Sequence, residues 1–237
     1  MIKGYKADVK LRADAKPVFK KSRPVAYALQ PALDNEIQCL QQAGILKPVE
    51  SSEWDMPLLV VPKTNGRLRV CGDYKVTIHQ SVEKKVYPLP TAEDLFTQLA
   101  GGKVFSKLDM SQAYQQLPLD DDSKKLLVVN TPRGLFQYTR LPYGVSTAPA
   151  IFQSVMDRIL HGLPVACYLD DILIVAKTEE EHDQLLEKTL ERLEKAGVRL
   201  SQEKCEFRLS ELRYLGHRID ATGIHSTSEK VQAIKKR

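Results

Sequence analysis

Two apolar runs, Val165 to Leu169 and Ile172 to Ala176, are interrupted only by Asp170-Asp171. Runs of this length read as buried strands, and so brief a break between them reads as a β-hairpin with both acids at its tip. Adjacent carboxylates repel, and strands as apolar as these have little reason to display them unless a positive charge compensates. A divalent cation would supply it. On its own, an Asp-Asp turn is better explained by ordinary turn chemistry.

Asp109 shifts that balance, because it also ends an apolar run, Val104 to Leu108, and leads into Met110-Ser111-Gln112-Ala113-Tyr114. Three carboxylates at the ends of neighbouring strands can hold two Mg²⁺ ions roughly 3.5 to 4 Å apart, the geometry of in-line phosphoryl or nucleotidyl transfer. Hard oxygen ligands suit Mg²⁺ or Mn²⁺ better than zinc. Such a centre needs no nucleophilic side chain, since a hydroxyl of the substrate can attack.

Around these acids the pattern alternates between strands and helices. Leu33, Ile37 and Leu40 fall at helical spacing within 32–43, and Gly44 follows as a stop. Leu58 to Val61 and Leu68 to Cys71 flank a turn at Pro62 to Arg67 whose Asn65-Gly66 pair favours a tight hairpin with a basic tip. A helix over 91–99 opens with Thr91 and Asp94 and stops at Gly101-Gly102. Leu126 to Asn130 and Leu135 to Arg140 form a second hairpin around Pro132-Arg133-Gly134. From Thr147, Ile151, Phe152, Val155, Met156, Ile159 and Leu160 mark a helix with one buried face. Thr178 with Glu181 starts another, carrying Leu185, Leu186, Leu190 and Leu193 to Gly197. Closing strands are expected near Glu206 to Phe207 and Leu212 to Ile219. The order matches an α+β fold, a split βαβ antiparallel sheet backed by helices.

The 237 residues, 43% of them apolar, suffice for one large domain or two small subdomains. The net charge of +5 proves little, but its distribution is uneven. Lys3, Lys6, Lys10, Arg12, Lys16, Lys20, Lys21 and Arg23 face only Asp8 and Asp14, so a basic arm leads into the fold; a solvated, loosely ordered terminus is one of two equally open readings of it, a charged functional arm the other. Acids gather at Asp120 to Asp122 and Glu179 to Asp183, as solvated loop and helix surface. Cys39, Cys71, Cys167 and Cys205 lack zinc spacing and read as reduced, mostly buried small hydrophobes. No apolar run reaches the roughly 18 to 20 residues that cross a bilayer, and the Met1-Ile2-Lys3 start has no secretory character. Cytoplasm, nucleus or the interior of a virus-like particle is the expected location.

Tyr168-Leu169-Asp170-Asp171 resembles the Tyr-x-Asp-Asp box of reverse transcriptases, and its surroundings resemble those of the gypsy-type LTR retrotransposons. Tyr87-Pro88-Leu89-Pro90, Phe105 to Asp109, Leu141-Pro142-Tyr143-Gly144, Ala148 to Gln153, Lys204-Cys205-Glu206-Phe207 and Tyr214-Leu215-Gly216-His217 follow in family order over about residues 45 to 235. The resemblance implies an RNA-directed DNA polymerase with a right-hand arrangement of fingers (1–86 and 117–146) and palm (87–116 and 147–225). Residues 226–237 would then begin a thumb that is otherwise absent. It implies primer extension with deoxynucleoside triphosphates on an RNA or DNA template. A non-catalytic nucleic-acid-binding module derived from such an element is the alternative, and nothing resembles the water-activating base of a two-metal nuclease.

By position, the resemblance makes Asp109 and Asp170 the principal metal ligands, with Asp171 completing the cluster around two Mg²⁺ ions, Mn²⁺ being an alternative. Arg69 would lie over the incoming triphosphate, with Lys63 as its partner on the γ-phosphate. Tyr114 would block a ribose 2′-hydroxyl and Tyr143 would line the nucleotide pocket; without the resemblance either tyrosine reads as core. Leu215 and Gly216 would form the primer grip, glycine letting backbone approach the primer end. Trp54 reads as a packing anchor. One departure touches the pocket: Thr77-Ile78-His79-Gln80 contains no asparagine where the family commonly has one.

Overall fold

The computed structural model describes residues 1–62, 68–83 and 87–226. In chain order its helices and strands are α1 (Gln30–Gln42), β1 (Leu46–Val49), β2 (Met56–Pro62), β3 (Leu68–Gly72), α2 (Ala92–Leu99), β4 (Val104–Asp109), α3 (Asp121–Leu126), β5 (Val128–Thr131), β6 (Gly134–Tyr138), α4 (Ala148–Ile159), β7 (Ala166–Tyr168), β8 (Asp171–Ala176), α5 (Glu179–Ala196), β9 (Glu206–Leu209), β10 (Glu211–Tyr214), β11 (His217–Asp220) and β12 (Gly223–Ser226). The chain divides into two compact units, Met1–Val86 with Tyr114–Phe152, and Tyr87–Ala113 with Gln153–Arg237.

In the first unit, a sheet ordered β1-β6-β5-β2-β3 is antiparallel except where β2 runs parallel to β5. The β2–β3 pairing, Leu58 opposite Gly72 through Pro62 opposite Leu68, is the expected hairpin, although its turn, with Lys63, lies outside the described residues. Leu33, Ile37 and Leu40 are buried on α1, as their spacing requires, and Gly44 follows with φ of 64°. Trp54 is buried.

In this unit one open reading is decided and one expectation is corrected. The basic arm is docked, not loose: Ile2, Ala7 and Val9 are buried, Ala7 bridges Leu119, Leu11 bridges Val82, and Arg23 pairs with Asp73 at 2.5 Å. Small apolar residues between the lysines give the arm a buried side, and its backbone hydrogen bonds are met by the unit itself. The strand expected from Leu126 begins only at Val128, because Asp120 caps the short helix α3 by accepting from Ser123 N–H.

In the second unit, a four-stranded antiparallel sheet runs β7-β8-β4-β9, and helices α2 and α5 pack against it. Leu95, Leu99, Phe105, Leu173, Leu212 and Ile219 share its core. Both capped helix starts appear as expected: Thr91 and Asp94 form a reciprocal capping box on α2, and Thr178 accepts from Glu181 N–H on α5. Gly102 does more than end α2, since a Cβ there would stand 1.9 Å from Val175 Cγ2. The span Leu212 to Ile219 is not one strand but the β10–β11 hairpin, to which β12 adds a third strand. Its turn residues, Leu215 and Gly216, both have positive φ and fold the chain back on itself. Of the cysteines only Cys167 is buried; Cys39 is exposed, Cys71 and Cys205 are intermediate, and all four are free thiols. No helix among the described residues is long and apolar enough to cross a membrane.

Candidate active site

Strand register assembles the acidic centre. β4 pairs with β8 so that Asp109 stands opposite Asp171, and β7 pairs with β8 so that Tyr168 stands opposite Asp171. The turn between β7 and β8 therefore consists of Leu169 and Asp170, and Asp171 is already the first residue of a strand, one step from the tip where the sequence places it. Leu169 takes φ of 52°, a left-handed conformation that is uncommon for leucine and typical of strained functional turns. Met110 N–H donates to the Asp170 carbonyl at 2.9 Å, tying the turn to the end of β4.

Gln153 holds this turn from α4. It is fully buried; its Oε1 accepts from Leu169 N–H at 2.9 Å, and its Nε2 donates to the Cys167 carbonyl and to Asp157 Oδ1, both at 2.8 Å. Tyr87 O–H donates to the other Asp157 oxygen at 2.6 Å. The sequence shows Gln153 only as a motif member; its role depends on a contact between segments 16 residues apart.

Two lysines face the carboxylates. Lys107 Nζ is 3.4 Å from Asp171 Oδ1 and 6.0 Å from the centroid of the Tyr214 ring, while Lys204 Nζ is 3.4 Å from Asp109 Oδ1. Burial raises the Asp170 carboxyl above its ordinary range, and the charges of Asp171 and Asp109 add to the effect. Asp171 is also raised by burial, which outweighs the opposing pull of Lys107. Burial thus disfavours the charged form of both carboxyls, and three carboxylates here stand against two lysines.

Asp109 Oδ1 and Asp170 Oδ1 are buried without a hydrogen-bond donor, and Lys204 meets Asp109 as an ion pair at 3.4 Å. Hard oxygens left without donors are a fitting ligand set for a divalent cation. As the side chains stand, no three His, Cys, Asp or Glu residues among those described converge as a metal-binding group. The donor chemistry fits a cation, whereas the present geometry is that of a lysine-paired cluster.

The expected nucleotide-pocket residues belong to the first unit. The Tyr114 and Tyr143 ring centroids are 5.1 Å apart, and Tyr114 also meets Phe152 edge-on at 5.2 Å. Gly144 has φ of 96°, and His79 Nε2 lies 3.0 Å from its carbonyl, so the segment lacking the family asparagine instead supports the Tyr143-Gly144 turn. Arg69 is exposed on β3 opposite Val61, and Lys63 lies outside the described residues. In the second unit Leu215 and Gly216 have φ of 47° and 73° at the β10–β11 turn, and the Leu215 side chain is 44% exposed.

Three carboxylates stand together at the end of an antiparallel sheet, two of them on paired strands and one in the strained turn beside them. The chain belongs to the reverse transcriptase (RNA-dependent DNA polymerase) family, whose model matches residues 61–219. It is 40% identical over 97% of its length to uncharacterized protein K02A2.6 of Caenorhabditis elegans, and 33% identical over 98% to the transposon Tf2-3 polyprotein of Schizosaccharomyces pombe. It spans 18% of each of these relatives. Among solved structures it resembles the foamy viral protease-reverse transcriptase in complex with RNA/DNA hybrid, with a TM-score of 0.87 and 26% identity, covering 99% of this chain and 31% of that one. Its α+β architecture is the fingers-and-palm fold of these polymerases.

Proposed function

We propose that the chain is the fingers-and-palm part of an RNA-directed DNA polymerase from a gypsy-type LTR retrotransposon, adding deoxynucleotides to a primer 3′ end on an RNA or DNA template. In this reading the fingers are residues 1–86 and 117–146 and the palm residues 87–116 and 147–225, a division supported by the similar bounds of the two compact units. The observation that carries this reading is the register of Asp109 opposite Asp171 with Asp170 in the adjoining turn. Asp109, Asp170 and Asp171 would hold two Mg²⁺ ions, which when bound activate the primer hydroxyl and steady the leaving pyrophosphate. Tyr114, tilted against Tyr143, would shape the sugar side of the nucleotide site, and Arg69 would offer its charge to the triphosphate.

Primer extension on RNA and on DNA templates, with Mg²⁺, Mn²⁺ or chelator, tests this. Addition should require the divalent cation and vanish in Asp109→Asn. Extension that survives either change removes the assigned centre. Because Lys107 and Lys204 already pair with Asp171 and Asp109, a non-catalytic nucleic-acid-binding module is the second reading. Duplex binding with no extension under any divalent cation would favour it.

A further inference from the structure

Strand β9 pairs irregularly with β4. Phe105 stands opposite Leu209 and Lys107 opposite Glu206, so one residue on β4 faces two on β9, and the extra residue makes a bulge at Phe207-Arg208. Arg208 has φ of 52°, a conformation that favours glycine, so the bulge is strained unless its surroundings fix it. A ring of four side chains does so. Arg208 N–H donates to Ser106 Oγ at 3.0 Å; Ser106 Oγ lies 2.8 Å from His182 Nε2; His182 Nδ1 lies 3.2 Å from Asp183 Oδ1; and the Arg208 guanidinium donates to both Asp183 oxygens.

Proton accounting closes this ring. A carboxylate only accepts, so Nδ1 of His182 carries a proton; in the neutral tautomer Nε2 accepts from the Ser106 hydroxyl, whose lone pair takes the Arg208 N–H. Ser106 and His182 are both fully buried, so this Ser-His-Asp series meets no substrate and is not a nucleophilic triad. The segment that the bulge sets in place meets the acidic centre. Ser201 N–H donates to the Asp109 carbonyl at 2.8 Å, Cys205 Sγ lies 3.9 Å from that same oxygen, and Lys204 Nζ reaches the Asp109 carboxylate.

We infer that Ser106, His182, Asp183 and Arg208 are positioning residues for the polymerase centre, locking a strained bulge in β9 whose register decides where residues 201–206 meet Asp109. This inference rests on the proposed function for its kinetic consequence and on geometry alone for the lock. With the ring broken, Asp109 would lose the contacts from residues 201–206 while keeping its pairing with Asp171 on β8, and Tyr114, Tyr143 and Arg69 belong to the other unit.

The test uses the full 237-residue chain with His182→Ala, Ser106→Ala, their double variant, and Asp183→Asn, whose half-exposed site guards against failure to fold. Single-nucleotide incorporation per active site, with sites counted by burst amplitude, should fall about 10- to 100-fold in His182→Ala and Ser106→Ala, the scale of a misplacement of about 1 Å, with KM for the deoxynucleotide within about twofold. Asp183→Asn should show a smaller loss of the same kind. The double variant should lose no more than the worse single, because both break one ring. Amide hydrogen exchange should accelerate selectively over residues 201–209 in every variant. A per-site rate like the parent's in variants of lowered melting temperature would reduce the ring to fold stabilisation and overturn the inference. If the parent extends no primer, the proposed function fails instead, and the exchange measurement still decides the lock: unchanged exchange over 201–209 overturns it.

Discussion

Gln153 Oε1 accepts a 2.9 Å hydrogen bond from Leu169 N–H, so a helix side chain holds the backbone of the turn that displays Asp170. Gln153→Leu keeps the volume roughly constant but strands Leu169 N–H and the Cys167 carbonyl without their partner. A cost of about 1–3 kcal/mol in urea unfolding is expected, the usual penalty for an unsatisfied buried polar group. Single-turnover extension should fall as well, with duplex affinity little changed. Equal stability and equal rate would mean that the turn is fixed by other contacts.

Asp170→Asn removes a carboxylate whose charged form burial and its neighbours disfavour. Since the folded state raises this pKa above the unfolded value, folded protein holds the proton more tightly, and the parent loses stability as pH rises from the ordinary carboxylate range through the raised value. The asparagine variant escapes that loss. Near neutral pH it should melt about 1–3 °C higher, given that about 1 kcal/mol moves a chain of this size by roughly 2–4 °C. The gain should shrink towards zero in acid. Extension should be abolished throughout. A variant less stable than the parent at neutral pH contradicts the charge imbalance.

Lys107→Met tests the same imbalance from the other side. The lysine and its partner Asp171 are each about three-quarters covered, with side-chain exposures of 22% and 24%. Its removal should cost about 1–3 kcal/mol, between the values for exposed and fully buried pairs. Millimolar Mg²⁺ should restore more stability to the variant than it adds to the parent, since a cation that binds only folded protein stabilises by mass action. Thermal melts with and without Mg²⁺ decide the matter, and an equal Mg²⁺ effect on both proteins would count against cation binding beside Asp171.

Tyr114→Ala deletes the ring that meets Tyr143 and Phe152. Ribonucleotide incorporation should rise relative to deoxynucleotide incorporation, with some loss of stability from the lost aromatic contacts, about 0.5–1.5 kcal/mol for each beyond simple burial. Competition between the two nucleotide types on one template reads this directly. Discrimination that stays constant while activity persists assigns Tyr114 to packing alone.

What the sequence made legible follows the range of the interactions. Helix caps at Thr91 and Thr178, the stop at Gly197 and the apolar strands beside Asp109 and Asp171 are local, and they form as their spacing requires. The short helix at Asp121 to Leu126 was hidden because its acids look like solvated loop and its last residue continues an apolar run. Gln153, His182 and Lys204 act across 16, 76 and 95 residues respectively, and no periodicity reports such pairings. Likewise, the arm's attachment depends on residues far along the chain, 50 positions away where Arg23 meets Asp73 and 114 where Val9 N–H donates to Ser123 Oγ. Lysine density there measures solvation of one side and says nothing of the buried alanine and valine on the other.

The β10–β11 turn offers a separation of stability from function at one residue. Leu215 sits at φ of 47° with its apolar side chain 44% exposed, although the first position of such a two-residue turn favours asparagine or glycine. Leucine there costs backbone energy, on the order of 1 kcal/mol, and recovers little by burial. Leu215→Asn should therefore raise hairpin stability by several tenths of a kcal/mol to about 1 kcal/mol. If the turn serves as the primer grip, the same change removes an apolar surface from the primer terminus, and extension from a correctly paired primer should slow even as the protein melts later. Urea unfolding and single-nucleotide incorporation on the same preparation give both numbers. A variant that is more stable and equally fast would show the leucine to be incidental to the primer, whereas lower stability would show that the exposed side chain packs in a way its position does not suggest.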